Sequence, residues 1–208
     1  MIDKLYDRLV IARELSRGKR VVDIGGSRMV PDATALFDIE YRKIEQAAVR
    51  YDIVDRAKSA DVTIDLNDVD AVRGLTLPPC DVILCMETLE HLCNPGMVCD
   101  KIAAAVRHGA TAYITVPAQS AFWTFCEAHG FDGAKWGFPA LGHWDKAHHL
   151  YGFCRHHFNV FLSDNFSGLN VSVHNCMGRY IGWLYPIAWL ATLGRGVSFG
   201  AIITAWKM

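Results

Sequence analysis

A glycine-containing turn directly after a short apolar run is the first place where residue types and spacing could bind a ligand. The run at 21–24 is apolar around Asp23, and Gly25, Gly26 and Ser27 follow without a gap. This order predicts a strand that enters a tight turn. Glycine has no side chain and tolerates positive φ, so the backbone can approach a ligand closely. At the carboxyl end of the first strand of a parallel sheet, we expect a nucleotide-like ligand there. A tight turn without a ligand is the alternative.

Histidines and aromatic side chains are concentrated after Pro117. Aromatic walls with a few polar groups are typical of a small-molecule pocket. An imidazole has a pKa near neutrality and suits proton removal, so histidines of this region, among them His143, His148 and His149, are candidates for a catalytic base. Packing or the start of a helix is the alternative role. Together with Asp145 they could ligate a divalent metal, but their spacing matches no established metal motif, and no metal site is predicted.

Composition limits the class of protein. The chain has 208 residues, of which 51% are hydrophobic, so one domain with a sizeable core is expected. A formal net charge of -1 offers no field that would attract phosphates, which disfavours nucleic acid as a partner. The seven cysteines are scattered and contain no CxxC pair, a pattern typical of reduced thiols in the cytoplasm. No signal peptide is recognised at the start, where the periodicity of residues 2–15 predicts an amphipathic helix.

Predicted strands and helices alternate along the chain. Further strands are expected at 49–54, 61–66, 80–85 and 111–116, with helices at 31–48 and from Asn94 to about 107. The second of these helices carries an apolar stripe of Val98, Ile102 and Val106. Alternation at this pace predicts a mainly parallel sheet with right-handed crossovers.

The order of these segments resembles the class I S-adenosylmethionine-dependent methyltransferases, especially their small-molecule branch. The segments that carry the resemblance are VVDIGGS, RYDIV, DVTIDLND, CDVILCMETLEHLCNP and AYITVP, followed by HHLYGFCRHHFNVFLSDNFSG and a closing strand in GAIITAWK. The resemblance implies an α/β fold with a doubly wound, mainly parallel seven-stranded sheet, a Rossmann-like methyltransferase fold in three α/β/α layers. It also implies that residues 1–208 form one domain, with 118–150 and 177–198 as substrate-side or lid insertions.

The resemblance also assigns the residues around the methionine part of S-adenosyl-L-methionine. Asp23 and Gly25 match the acidic residue and the first glycine of the family's cofactor loop, which Gly26 and Ser27 continue. The family usually has glycine at the places of Ser27 and Met29. The two larger side chains must turn away or restrict the cofactor.

Other positions match the nucleoside part of the cofactor and the end of the fourth predicted strand. Asp52 matches the carboxylate that accepts hydrogen bonds from the ribose hydroxyls, in preference to Asp55. Asp65 and Leu66 match the pair beside the adenine. The positions expected to line the methionine portion after the fourth strand are Cys85, Met86 and Glu87. Glu90 and His91 continue that loop.

The implied activity is methyl transfer by in-line displacement from S-adenosyl-L-methionine to the oxygen or nitrogen of a small organic acceptor in biosynthesis, with S-adenosyl-L-homocysteine as product. The alternative is a catalytically silent cofactor-binding partner or regulatory subunit, because Ser27 and Met29 replace glycines. A dehydrogenase is disfavoured because the turn lacks the full G-x-G-x-x-G pattern. The aromatic segment 180–193 is expected to be a helical hairpin or lid. A homodimer surface and a membrane-interface contact are its alternatives.

Overall fold

The computed structural model describes residues 6–26, 36–118, 150–177 and 198–206. Within these ranges strands and helices alternate, as predicted. The elements in chain order are β1 (Tyr6–Asp7), α1 (Arg8–Ser16), β2 (Arg20–Ile24), α2 (Leu36–Ala47), β3 (Arg50–Asp55), β4 (Val62–Thr63), α3 (Val69–Gly74), β5 (Val82–Met86), α4 (Pro95–Arg107), β6 (Thr111–Pro117), α5 (Arg155–Asn165), β7 (Asn170–Met177) and β8 (Ser198–Thr204). A single 3-10 turn, Leu89–His91, follows β5.

All of these strands lie in one sheet, in the order β1-β7-β8-β6-β5-β2-β3-β4. The pairs from β6 to β4 are parallel, and β8 runs antiparallel to both β6 and β7. The strand order reverses at β2, which pairs with β3 on one side and β5 on the other. The predicted doubly wound, mainly parallel seven-stranded sheet is therefore confirmed, with the two-residue β1 as an additional strand at the edge of β7.

The buried hydrophobic residues of the described ranges form two clusters, one on each face of the sheet. The larger cluster joins strand residues such as Val22 and Ile24 to buried side chains of α3, α4 and α5. The smaller cluster joins Val21 and neighbouring strand residues to α1 and α2. Successive side chains of a strand point to opposite faces, so the run at 21–24 supplies both clusters. The sheet is thus the middle of three layers.

Some predicted boundaries are wrong. Tyr6 and Asp7 do not continue the helix expected over 2–15, because they pair with the edge of β7. The strand expected at 61–66 is only Val62–Thr63. The Ile64 amide still donates to the Asp55 carbonyl oxygen at 2.9 Å, but the Asp65 carboxylate then accepts the Asn67 amide at 2.9 Å and closes a turn.

The predicted insertions at 118–150 and 177–198 lie outside the described residues except at their ends, as does the segment 180–193. No helix in the described part of the chain has both the length and the apolar character needed to cross a bilayer.

The packing of α5 leads to a prediction about stability. Phe158 is fully buried and stacks on Phe199 of β8 with ring centroids 6.0 Å apart. Phe158→Ala should lower the free energy of unfolding by about 3–5 kcal/mol, because it removes buried surface and leaves a cavity. The matched control is Val160→Ala on the same helix, since Val160 is 45% exposed. Urea unfolding measures both, and equal losses would contradict the packing described.

Candidate active site

The glycine turn after β2 is held between β3 and the loop that follows β5. Gly25 has φ of +78°, a conformation that favours glycine, and its amide donates to the Val54 carbonyl oxygen at 2.9 Å. A Cβ at this position would overlap the side chain of Thr88. The Thr88 hydroxyl lies 3.2 Å from the Ile24 carbonyl oxygen, to which it donates. The turn and the loop after β5 therefore share one compact edge of the sheet.

Asp23 is fully buried immediately before this turn. Its Oδ2 accepts hydrogen bonds from the Tyr51 hydroxyl at 2.8 Å and the Tyr41 hydroxyl at 3.1 Å. Its Oδ1 is buried and has no hydrogen-bond partner among the described residues. A Cβ on Gly26 would overlap this carboxylate, so glycine at 26 lets the main chain lie directly against it. One carboxylate oxygen is fixed, and the other can accept a further hydrogen bond.

The electrostatic balance at Asp23 is set by burial and by its neighbours. Burial raises the pKa of the Asp23 carboxyl to about 6, and the hydrogen bonds from Tyr51 and Tyr41 oppose that rise. The negative charge of Asp55 adds to the rise. Asp23 is therefore predominantly ionised at neutral pH although no solvent reaches it.

β3 ends at Asp55, and Asp52, which the resemblance favours as the ribose carboxylate, does not lie at its end. Asp52 lies in mid-strand opposite Val22, is buried, and forms an ion pair with Arg50 at 2.8 Å. The strand predicted at 49–54 stops one residue short of Asp55. Asp55 accepts the Ala57 amide at 2.8 Å and is close enough to Asp23 to influence its pKa. The structure thus places Asp55, and not Asp52, beside the glycine turn.

Asp65 and Leu66 lie in the loop after β4. Asp65 is exposed, whereas Leu66 is 7% exposed and packs in the larger hydrophobic cluster. Asn67 accepts the Cys93 amide at 2.6 Å through its Oδ1, which ties this loop to the loop after β5. The assignment of Asp65 and Leu66 to the adenine stays a prediction.

Cys85 and Met86 point to opposite faces at the end of β5. Cys85 is fully buried in the larger cluster, where burial raises the pKa of its thiol well above the usual range. A thiol in that environment is an unreactive core group. Met86 is 8% exposed and belongs to the smaller cluster. The structure shows both side chains as packing residues, and a contact with the cofactor stays a prediction.

Glu87 lies at the same edge in a conformation that is unusual for a side chain with a Cβ. Its φ is +52°, and its amide donates to the Thr115 carbonyl oxygen at 2.9 Å. Its carboxylate accepts the Thr115 hydroxyl at 2.9 Å and forms an ion pair with Arg8 at 2.8 Å. Arg8 also donates to the Ser198 hydroxyl at 2.8 Å. We refer to Arg8, Glu87, Thr115 and Ser198 as the edge cluster.

Sequence reasoning missed three members of the edge cluster, Arg8, Thr115 and Ser198. Arg8 and Ser198 are separated by 190 positions, so no local pattern connects them. The one available signal was Glu87, the first residue after a buried strand.

Glu90 is a second buried carboxyl group on the loop after β5. Neither oxygen has a hydrogen-bond partner among the described residues, and the nearest histidine nitrogen is Nε2 of His91 at 3.7 Å. Burial, with a contribution from Glu87, raises the pKa of Glu90 to about 9. Its carbonyl oxygen accepts the Leu150 amide at 2.7 Å, so the chain that follows His149 in sequence is anchored at this loop.

The remaining candidates cannot be placed. Ser27, His143, His148 and His149 lie outside the described residues, and their roles stay predictions. Within the described ranges, no group of three or more His, Cys, Asp or Glu side chains has an arrangement that could hold a metal ion.

Comparison with known proteins identifies what this chain is similar to. A family model described as a methyltransferase domain matches residues 2–169. Among solved structures, a chain from the complex of the Haloferax volcanii Trm112 methyltransferase activator with a candidate methyltransferase is 14% identical, with a TM-score of 0.60, and the match covers 97% of this chain and 87% of that one. An S-adenosylmethionine-dependent methyltransferase from Mesorhizobium loti is 13% identical, with 94% of each chain covered and a TM-score of 0.56. The plantazolicin methyltransferase BpumL, solved with S-adenosylhomocysteine, is 10% identical, with 96% and 83% covered and a TM-score of 0.55. At these identities the likeness shows the fold. A comparison with curated proteins finds no match.

The geometry of the turn predicts that glycine is required at position 25. Gly25→Ala should destabilise the protein by about 1–3 kcal/mol, because alanine is strained at this φ and its Cβ would overlap Thr88. Gly74→Ala is the control, since nothing lies within 4 Å of a Cβ there and its φ is not positive. Thermal or urea unfolding compares the two variants. A loss no greater for Gly25→Ala than for the control would contradict the strain described.

The burial of Glu90 predicts a pH dependence of stability. Because its folded-state pKa lies near 9, above the ordinary value of 4.5, its contribution to stability is fully present at low pH and is lost as pH rises from about 4.5 to 9. Glu90→Gln, which is neutral at every pH, should therefore lose less stability than wild type between about pH 5 and 8. Urea unfolding across that range measures the difference, with Glu14→Gln on the exposed side of α1 as control. Parallel pH profiles for wild type and Glu90→Gln would show that Glu90 is ionised in the folded protein.

Proposed function

The chain belongs to the methyltransferase-domain family, and from that membership we propose that it moves a methyl group from S-adenosyl-L-methionine to the oxygen or nitrogen of a small organic acceptor. The observation that carries this proposal is the pair of carboxylates, Asp23 and Asp55, beside a positive-φ glycine at the point where the strand order reverses. In open α/β sheets, ligands bind outside the carboxyl ends of the strands at such a point.

The described residues fit the cofactor that family membership supports. A buried carboxylate oxygen of Asp23 receives no hydrogen bond from any residue that the structure describes, and the main chain at Gly26 lies directly against that carboxylate. Asp55 is the residue that ends the neighbouring strand, and for this reason it replaces Asp52 as the proposed ribose-binding residue. Its carboxylate can accept hydrogen bonds from both ribose hydroxyls. When bound, S-adenosyl-L-methionine supplies an electrophilic methyl group on a positively charged sulfur. The carboxylates orient the ligand and offer it negative charge.

The protein must also align the acceptor and exclude water from the site. Glu87 and Glu90 belong to the loop after β5, where the chain leaves the parallel strands. The Leu150 amide donates to the Glu90 carbonyl oxygen, so the first described residue after His149 in sequence is bound to this loop. We therefore retain His143, His148 and His149 as the proposed bases that remove a proton from a neutral acceptor.

A small molecule is the acceptor class that the sequence favours. The formal charge of -1 offers no general attraction for nucleic acid, and the region between the described ranges is rich in aromatic residues. The structural neighbour BpumL is a plantazolicin methyltransferase, which supports an organic acceptor without identifying it. A cytoplasmic location and a homodimer or membrane-interface contact through 180–193 belong to the same proposal.

The second candidate function is a cofactor-binding partner without catalytic activity. Ser27 and Met29 stand where the family usually has glycine, and this specific departure favours it. Calorimetry with S-adenosyl-L-methionine and S-adenosyl-L-homocysteine, followed by assay of S-adenosyl-L-homocysteine formation with a panel of hydroxyl- and amine-bearing acceptors, separates the two functions. Binding with turnover supports the enzyme. Binding without turnover across the panel supports the silent partner, and absence of binding would contradict both.

The revised ribose assignment gives a direct test. Asp55→Asn should weaken S-adenosyl-L-homocysteine binding by about tenfold or more, because it removes the charge from hydrogen bonds to a carboxylate, each worth roughly 1.5–3 kcal/mol. Asp52→Asn is the matched control on the same strand and should change affinity by less than about threefold. Isothermal titration calorimetry measures both, after urea unfolding has shown that each variant folds. A larger loss in Asp52→Asn would restore the assignment made from sequence.

A further inference from the structure

The hydrogen bonds around Asp23 come from two parts of the chain and meet at one atom. Tyr41 lies on α2 and Tyr51 on β3, and both hydroxyls donate to Oδ2. Tyr41 is 9% exposed, so this hydroxyl is removed from solvent like the carboxylate it contacts. The other oxygen, Oδ1, is equally buried and receives no hydrogen bond from any described residue. The two oxygens of one carboxylate therefore have different tasks.

The chemical type of the hydrogen-bond donors to Asp23 determines how much negative charge the carboxylate can offer a ligand. A buried carboxylate is costly unless hydrogen bonds or an opposite charge compensate it. Among the described residues, the hydrogen bonds to Asp23 come from neutral phenols and not from lysine or arginine. Neutral donors stabilise the ionised form and leave its negative charge available to a cationic ligand, whereas an arginine would neutralise it.

We propose that Tyr41 and Tyr51 are positioning residues that hold Asp23 by Oδ2 and leave Oδ1 to accept a hydrogen bond from the α-ammonium group of the cofactor. The inference rests on the proposed function for the identity of the ligand. It goes beyond it by assigning a role in ligand recognition to two tyrosines that lie 18 and 28 positions from Asp23. Gly26 completes the arrangement, since any side chain there would displace the carboxylate.

The charged and titratable groups around this site are consistent with the two tyrosines acting as hydrogen-bond donors to Asp23. Burial raises the pKa of both Tyr41 and Tyr51 far above the usual range, so both hydroxyls stay protonated at all working pH values. Among the described residues, the groups that also act on Asp23 or on its two donors include Arg8 of α1, Glu45 of α2, Asp55 of β3 and Cys85 of β5. Asp55 raises the pKa of Asp23, which makes the two phenolic hydrogen bonds more important for its ionisation.

The consequence is a specific pH dependence of cofactor binding. With both phenols in place the pKa of Asp23 is about 6, and loss of either hydrogen bond moves it upward. The charge on Asp23 is then lost at a pH where wild type keeps it. Affinity for an ammonium-bearing ligand should fall at neutral pH in the variants and recover as the pH is raised.

The experiment measures S-adenosyl-L-homocysteine binding by calorimetry between about pH 5.5 and 8.5 in wild type, Tyr41→Phe, Tyr51→Phe and the double variant. Each unit by which the Asp23 pKa rises should weaken binding by up to about tenfold at a pH below the wild-type value of about 6, and by less at higher pH. The double variant should show the largest upward shift of the midpoint. Asp23→Asn should bind weakly with no midpoint in this range.

The matched control is Tyr113→Phe. Tyr113 is fully buried in the same smaller cluster as Tyr41, and its hydroxyl lies 3.4 Å from His174 Nε2, not at Asp23. Its profile should follow wild type. If Tyr41→Phe and Tyr51→Phe also follow wild type while wild type binds the ligand, the positioning role is wrong and the proposed function stands.

A ligand-free measurement separates the two proposals. The folded-state pKa of Asp23 is about 6, above the ordinary value of 3.8. The contribution of Asp23 to stability is therefore lost as pH rises from about 3.8 to 6. In the tyrosine variants this loss should extend to higher pH in urea unfolding of the protein alone. If this result is obtained but wild type binds no S-adenosyl-L-homocysteine at any pH, the tyrosines control the ionisation of Asp23. The proposed cofactor and its ammonium contact with Asp23 are then both wrong. If the pH profile of stability is unchanged in the tyrosine variants, the tyrosines do not control Asp23. Tyr51→Phe alone is sufficient for this measurement if the double variant does not fold.

Discussion

The parallel pairing of β2 with β3 on one side and β5 on the other is the constraint on which the candidate site depends. In this register Asp23 lies opposite Ile53 and Leu84, so the three strands end at nearly the same level. The turn at Gly25, the residue Asp55 and the loop that begins at Glu87 must therefore leave the sheet at one edge. Parallel strands need long crossovers, and the helices that provide them cover both faces. In the described part of the chain, this edge is where backbone and polar groups from three adjacent strands come together.

Two carboxyl groups near this edge are buried in ways that folding alone would not favour. Asp23 has one oxygen without a partner, and Glu90 has two, among the residues that the structure describes. A buried polar group without a hydrogen bond costs about 1–3 kcal/mol, and perturbed ionisation is concentrated at functional sites. Asp52 shows the contrast, because its buried carboxylate is matched by Arg50 on the same strand. Asp52 is accounted for by structure, while Asp23 and Glu90 call for a functional explanation.

Much of the fold could be predicted from the sequence because it rests on local patterns. The apolar runs at 21–24 and 82–85 identify strands. The glycines after the first run identify a turn, and the structure shows this turn with a positive φ at Gly25. The end of β3 could not be fixed in this way. The segment RYDIVD contains two aspartates separated by a β-branched pair, and only the register with β2 decides which of them lies at the edge.

The contacts that orient the site were not predictable from local pattern, because they join residues that are distant in sequence. Glu87 has a backbone conformation that costs a residue with a Cβ roughly 1–3 kcal/mol unless its surroundings hold it. Those surroundings are Thr115 of β6 and Arg8 of α1, and Arg8 reaches Ser198 at the start of β8. Since β8 lies between β6 and β7, its insertion completes the described sheet and also supplies the hydroxyl at this edge. The geometry after β5 therefore depends on contacts with α1, β6 and β8, which come from widely separated parts of the sequence.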